Sequence, residues 1–239
     1  MTKQNITILG CTGMLGSMLL DSFVKMGEFD VIATYRKQKE AKLLKHRYPM
    51  VDFRRLDAEK INLNGIVDSI KGAQWVVNAI GVIKPYIRDD NTQEMYRAIQ
   101  VNSLFPYLLA QAGRMTNTQI IQIATDCVYS GQKGQYVETD PHDALDVYGK
   151  TKSLGEVFMD TMYHLRCSII GFELKSHMSI FDWFLGQKKN ATVNGFTNHV
   201  WNGVTTLHFA RICQGIIKRG IVLPHIQHVV PGNSISKAD

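Results

Sequence analysis

No run of apolar residues in this chain approaches the ~20 that a membrane-crossing helix requires, so no transmembrane helix is expected. Ahead of the first apolar run stand only a few mostly polar residues, and a signal peptide is not expected either. Cysteine is scarce: Cys11, Cys127, Cys167 and Cys213 lie far apart, with no C-x-x-C and no zinc spacing. That pattern reads as a reduced, cytoplasmic, soluble protein without a metal site. Acids are outnumbered, 21 Asp+Glu against 27 Lys+Arg, which gives a net charge of +6 over 239 residues. Such a balance suits nucleic acid or a small polyanionic ligand. A nucleic-acid recognition motif is missing, however, and the aromatic residues do not interleave with a basic stripe. Repeats, low-complexity tracts and linkers are also missing. With 45% hydrophobic and 20% charged residues, the composition is that of an ordinary globular chain.

What is present is an alternation. Short β-branched runs at 6–9, 31–34, 50–53, 75–78, 119–124 and 165–170 read as buried strands. Longer amphipathic stretches separate them. Leu15, Met18, Leu19, Phe23 and Met26 recur at helical spacing, with Gly27 where a C-terminal cap belongs. Segments 39–46, 61–70, 93–114 and 147–164 fill the remaining gaps as helices. The charged run 36–47 fits a solvated helix face. This order predicts an α/β fold with a parallel sheet covered on both faces. In the last third, 180–185 and 207–217 read as helices and 226–230 as a strand. Residues 193–203, rich in Asn, Gly, His and Trp, show no periodicity.

Directly after the first strand stands Gly10-Cys11-Thr12-Gly13-Met14-Leu15-Gly16, a G-x-x-G-x-x-G leading into a helix. Glycine serves here twice. The turn uses backbone angles that a Cβ obstructs, and a pyrophosphate must come close to the N–H groups at the helix start. A tight turn with Gly16 packing helix on strand is the plainer alternative. Strand two runs out as Thr34-Tyr35-Arg36-Lys37, without the acid that NAD-selective sites place there for the ribose hydroxyls. Arg36 or Lys37 facing a 2′-phosphate would favour NADP, with NAD still open. Asp57 reads equally as a contact to the adenine edge and as a solvated loop acid.

Three Tyr-x-x-x-Lys pairs occur, at Tyr35/Lys39, Tyr129/Lys133 and Tyr148/Lys152. The first spans a strand end and the second brackets a Ser-Gly turn. Only the third enters a predicted helix, where i and i+4 share a face. An ammonium beside a phenol favours the phenolate and lowers its pKa from about 10. Tyr148 then protonates a carbonyl oxygen as hydride arrives, and Lys152 tunes the phenol and holds the ribose. A Lys152–Glu156 pair on an exposed helix is the competing reading. Thr125 falls at the end of strand five, where open α/β sheets bind ligands. It suits a hydrogen bond to a substrate carbonyl, or a turn cap.

These residues resemble the extended short-chain dehydrogenase/reductase superfamily, and within it the dTDP-4-dehydrorhamnose reductase family. The matching segments are 10–16, 78–81, 102–106, 124–131, 136–140 and 148–156, spread over most of the first 170 residues. The resemblance implies a Rossmann domain at 1–170 that binds NADPH through Gly10, Thr12, Gly13, Met14, Leu15, Gly16, Arg36, Lys37, Asp57, Ala79, Gly81 and Asn102. A smaller substrate lobe at 171–239, interleaved with a late Rossmann strand, goes with it. Thr125, Tyr148 and Lys152 become the catalytic set, and Asn102 positions the lysine through water unless it is simply a buried helix asparagine.

The implied activity is NADPH-dependent reduction of the C4 carbonyl of a 4-keto-6-deoxy nucleotide-sugar for polysaccharide or O-antigen precursors, with no nucleic acid, no membrane and a homodimer compatible. Cys127, where rhamnose reductases carry an aromatic residue, resembles the cysteine of GDP-fucose synthase-like epimerase-reductases, and is otherwise a small semi-buried residue. Lys175 and His177 then stand where a second epimerase acid is expected. Trp201 and Asn202 are candidates for the nucleotide or sugar pocket, or for a core Trp and a turn Asn. Relatives continue past the segment resembling 231–237, so a substrate lobe that is incomplete, or partly replaced by a partner subunit, is expected. A regulatory subunit that binds NADP without turnover is the remaining alternative.

Overall fold

Seven short parallel strands, joined by segments that cross over the sheet, give the chain its frame. The computed structural model describes residues 3–60, 62–175, 177, 179–236 and 238. In chain order the elements are β1 Gln4–Leu9, α1 Met14–Met26, β2 Phe29–Tyr35, α2 Gln38–Arg47, β3 Asp52–Arg55, α3 Leu63–Ile70, β4 Trp75–Asn78 and α4 Thr92–Ala98. They continue as α5 Phe105–Thr116, β5 Gln119–Ala124, α6 Val147–Leu154, β6 Met162–Arg166, β7 Ile169–Ile170 and α7 Ile180–Leu185. The last are β8 Val200–Trp201, β9 Val204–Thr205, α8 Thr206–Arg219, β10 Ile226–His228 and β11 Ile235–Ser236.

The main sheet has the order β10-β6-β5-β4-β1-β2-β3, and its pairings are all parallel. It is a doubly wound, Rossmann-like sheet. The strand order reverses at β1, between β4 and β2, and the carboxyl ends of β1 and β4 therefore open onto a crevice. Register there is fixed by Leu9 opposite Asn78. On one face α1 lays Leu15, Leu19 and Phe23 into a core shared with Phe209, Cys213 and Ile217 of α8. The other face is covered by Ile66 and Ile70 of α3 with Phe105 and Leu109 of α5. Both faces being buried is why the strands read as continuous apolar runs. Gly27 stops α1 in the left-handed region (φ 71°), its N–H bonded to Val24 O.

Three sequence expectations need correction. The predicted helix 147–164 ends at Leu154, and the predicted strand 165–170 is two pieces. Helix α6 crosses the segment Ile99–Leu104 at Gly155, where a Cβ would lie 1.9 Å from the Asn102 carbonyl oxygen. The chain turns there and re-enters the sheet as β6, ahead of the predicted helix end. Beyond Arg166 it leaves again, and β7 pairs with β9 in a separate two-stranded ribbon.

The predicted helix 93–114 is likewise interrupted, by a π-helical stretch at Ile99–Leu104 in which Phe105 N–H donates to Gln100 O. Pro106 has no N–H for the Asn102 carbonyl, so the regular ladder cannot run through this point. Of the predicted helix 61–70, Ile61 lies outside the described residues, as do Met1 and Lys237 of the terminal segments. Among the described residues, no helix is long and apolar enough to cross a membrane, and no group of three or more His, Cys, Asp or Glu is placed to hold a metal ion.

Candidate active site

A groove of about 780 Å³ runs along the carboxyl ends of β1, β2, β4 and β5. Its floor is the glycine loop. Gly10 has φ +81°, and a Cβ there would meet Ile80 Cγ1 at 2.8 Å. Position 10 therefore disfavours a side chain on both grounds. Gly16 does not line the groove. A Cβ at 16 would sit 2.1 Å from Gly10 O, so this glycine lets α1 pack onto the end of β1. Among the described residues, no side chain caps α1, whose first turn carries no acid. Its N–H groups near Met14 and Leu15 face a groove also lined by Thr12 and Gly13. This cradle fits the phosphates of a dinucleotide.

Further along, Thr125, Cys127, Tyr148 and Lys152 line the same groove, as do Ala79 and Gly81. Tyr148 and Lys152 sit in the first and last turns of α6, which Asp146 caps by accepting Gly149 N–H at 2.7 Å. The Thr125 hydroxyl accepts Cys127 N–H at 3.2 Å, so it caps a turn as well as facing the groove. Lys152 Nζ donates to Ile123 O at 3.0 Å. Burial lowers its pKa to about 8. Burial also raises Tyr148 above the ordinary phenol value, with a Thr125 hydrogen bond pulling the other way. The expected lowering of Tyr148 by Lys152 thus gives way to desolvation, and at neutral pH the Tyr148 phenol keeps its proton.

The rival readings of the tyrosine–lysine pairs fall away. Glu156 turns from Lys152 to Arg166, which donates to both its oxygens at 2.8 and 2.6 Å in a buried pair. Tyr35 accepts from Lys45 rather than Lys39. Tyr129 joins the Arg166 network, while Lys133 pairs with Asp140.

The remaining expected residues scatter. Asn102 is buried; its amide oxygen accepts Val82 N–H at 2.8 Å and its amide nitrogen donates to Val82 O and Thr151 Oγ1. It ties the loop after β4 to α6. Its polar atoms are thus taken by the loop backbone and by Thr151 rather than turned to Lys152. Trp201 donates to Ser168 Oγ at 2.7 Å and stands behind the groove, whose wall includes Ser168. Asn202 is exposed outside the lining.

His177 faces Asp182 at 3.0 Å, also outside the lining; its neighbours Ser176 and Met178 lie outside the described residues. Lys175 does reach the groove, but at the glycine loop, bonded to Glu40 at 2.6 Å. The second epimerase acid expected from Lys175 or His177 therefore does not assemble beside Cys127. Desolvation and the adjacent Asp126 raise the Cys127 thiol, which disfavours a ready thiolate.

The family described as "RmlD substrate binding domain" matches residues 4–173. The chain belongs to that family. A dTDP-4-dehydrorhamnose reductase of Aggregatibacter actinomycetemcomitans is 32% identical over 160 residues, 66% of this chain and 47% of that protein. The spore coat polysaccharide biosynthesis protein SpsK of Bacillus subtilis is 36% identical over 69 residues, 28% of this chain and 24% of that one. The chain thus spans about half the length of the curated relatives it matches, or less. Among solved structures, a dTDP-4-dehydrorhamnose reductase from Bacillus anthracis in complex with NADP superposes with TM-score 0.73 at 17% identity, covering 98% of this chain and 77% of that chain. Bordetella bronchiseptica WbmG in complex with NAD and UDP gives TM-score 0.81 at 16% identity, covering 99% and 75%. At these identities the likeness is one of fold.

Within this family frame, several groove residues escaped sequence reasoning. A second cavity of about 470 Å³ adjoins the end of β2 and is lined by Arg36, Lys37, Arg55, Lys60 and Arg97, with Asp57 and Glu59. Glu59 Oε1 accepts from Arg36 at 2.6 Å and from Arg97 at 2.7 Å. Arg97 comes from α4, and no local motif signals it. Asp57 lines this cavity while its carboxylate accepts Glu59 N–H at 3.2 Å.

Proposed function

We propose that this chain is a nicotinamide-dependent reductase of the C4 carbonyl of a 4-keto-6-deoxy nucleotide-sugar, serving the synthesis of polysaccharide precursors. The observation that carries the reading is the meeting of Thr125, Tyr148 and Lys152 with the glycine cradle in one groove. The curated relative named as a dTDP-4-dehydrorhamnose reductase supports the substrate class. Residues 1–170 carry the dinucleotide and the chemistry, and residues 171–239 contribute the sugar side.

The cradle at Gly10 and the basic cavity fit NADP, with Arg36, Lys37 and Arg97 around the ribose phosphate; the pairing of Arg36 with Glu59 leaves a place for NAD at lower affinity. When bound, a reduced nicotinamide supplies hydride to the carbonyl carbon. Thr125 directs its hydroxyl at the carbonyl oxygen and orients it. Tyr148, held protonated by its buried setting, gives its proton to that oxygen. Lys152, its pKa near 8, takes up the charge left on the phenolate and restores the proton. The test is NADPH oxidation against a panel of 4-keto-6-deoxy nucleotide-sugars. Turnover of at least one is expected, and NADPH binding without turnover of any would refute this branch.

A further inference from the structure

From the last third of the chain, Lys175 reaches the glycine loop, and the proposed chemistry does not use it. Lys175 follows β7, yet its ammonium lies 3.5 Å from the hydroxyl of Thr12, inside the G-x-x-G-x-x-G loop. It is held there by Glu40 of α2, at 2.6 Å. Glu40 itself lies 3.5 Å from the Thr12 hydroxyl. Lysine and glutamate therefore stand over the same threonine, reached from sequence positions 135 residues apart.

A carboxylate at a phosphate cradle is electrostatically misplaced unless a cation offsets it. Coulomb repulsion between Glu40 and an incoming phosphate falls on a low-dielectric groove wall, where it is stronger than in water. Lys175 supplies the missing cation. Arg36 and Lys37 also lower the Glu40 pKa, but Lys175 is its bonded partner and the larger influence after burial. An ammonium carries three donors, and the bonds to Glu40 and, more weakly, Thr12 leave one for a ligand oxygen.

We propose that Lys175 is a dinucleotide-binding residue: delivered by the C-terminal third and aimed by Glu40, its ammonium takes the diphosphate that settles on the glycine loop. The inference rests on the reading that the groove takes a nicotinamide dinucleotide. It moves Lys175 from the sugar side of the site to the cofactor side. It also couples dinucleotide binding to the segment that shapes the sugar side, because Lys175 lies between β7 and α7.

The experiment is a fluorescence titration of the full chain with NADPH, NADH and 2′-AMP, which keeps the ribose phosphate but has no diphosphate. Lys175→Gln, at a partly exposed position, is expected to raise the Kd of NADPH about tenfold, the worth of one charge-assisted hydrogen bond. The Kd of 2′-AMP stays within about twofold of wild type, since that ligand has nothing for Lys175 to hold. Glu40→Gln, whose amide oxygen still accepts from the ammonium while a competing anion is gone, binds NADPH as tightly as wild type or more tightly. The double variant falls between the two single ones.

Equal weakening by Lys175→Gln, by Glu40→Gln and by both together would make the pair a mere clasp and overturn the proposal. So would an unchanged NADPH affinity in Lys175→Gln, or an equal loss of 2′-AMP. A wild-type chain that binds neither NADPH nor NADH would overturn the dinucleotide reading and this inference with it. A wild type that binds while Lys175→Gln binds equally well would overturn the inference alone.

Discussion

Replacing Lys152 by methionine is expected to stabilise the fold while abolishing turnover. The lysine is only 9% exposed. Burial lowers its pKa from 10.5 to about 8. A tenfold change in proton affinity is worth about 1.4 kcal/mol, so keeping the ammonium in the fold costs about 3 kcal/mol at pH 6–7. Methionine fills nearly the same stem volume without that charge. It also strands Ile123 O, which loses its bond from Nζ, at a cost of about 1–2 kcal/mol. The net expectation is a gain of about 1–2 kcal/mol at pH 6–7.

The pH dependence gives the effect its signature. Below pH 8 both folded and unfolded chains hold the proton, and wild type bears the full burial cost. Between pH 8 and 10.5 the folded lysine has released its proton and the unfolded one has not. More protons on the unfolded chain mean that wild-type stability rises with pH across this window. Urea unfolding of both proteins from pH 6 to 10 should therefore show the advantage of Lys152→Met shrinking above pH 8 and disappearing by about pH 10. A variant less stable than wild type at pH 6, or a difference that is flat with pH, would refute the reasoning.

Other outcomes follow from the same geometry. Gly155→Ala puts a Cβ against the Asn102 carbonyl and should cost about 2–4 kcal/mol in a urea melt, more than a helix-end glycine substitution otherwise does. Glu156→Gln leaves Arg166 buried without its partner's charge and should destabilise by about 3 kcal/mol, measured the same way. Arg97→Ala, by emptying one wall of the basic cavity, should lower the ratio of NADPH to NADH affinity by about tenfold in parallel titrations.

Much of the frame is legible in the residues. The strands at Trp75–Asn78 and Gln119–Ala124 and the helix at Ile180–Leu185 coincide with their predicted bounds, because flanking polar or glycine signals mark them sharply. The glycine loop is legible because a backbone approach leaves a local mark. Helix α6 and strand β6 are legible only in part: Gly155, the C-cap of the helix, is a local stop signal that the longer predicted helix overruns, while the reason this position must lack a Cβ, the nearby carbonyl of Asn102, comes from a distant part of the chain. Arg97 and Glu40 carry no motif and reach the groove from separate elements, visible only in space; Lys175 is a candidate from the resemblance, but its place beside the glycine loop shows only in the structure. Lys152 and Glu156 show the converse. Their i, i+4 spacing invites a surface ion pair, but the buried guanidinium of Arg166 takes the glutamate, and the Ile123 carbonyl takes the lysine.

The central claim is that one groove brings a proton donor, a carbonyl-orienting hydroxyl and a dinucleotide cradle together for reduction. Single-turnover NADPH oxidation by wild type and by Tyr148→Phe, with a reducible nucleotide-sugar at saturation, tests it most directly. The phenylalanine variant should bind NADPH as wild type does and lose at least about a hundredfold in rate, the usual weight of a positioned acid. Oxidation at an undiminished rate in Tyr148→Phe would contradict the account.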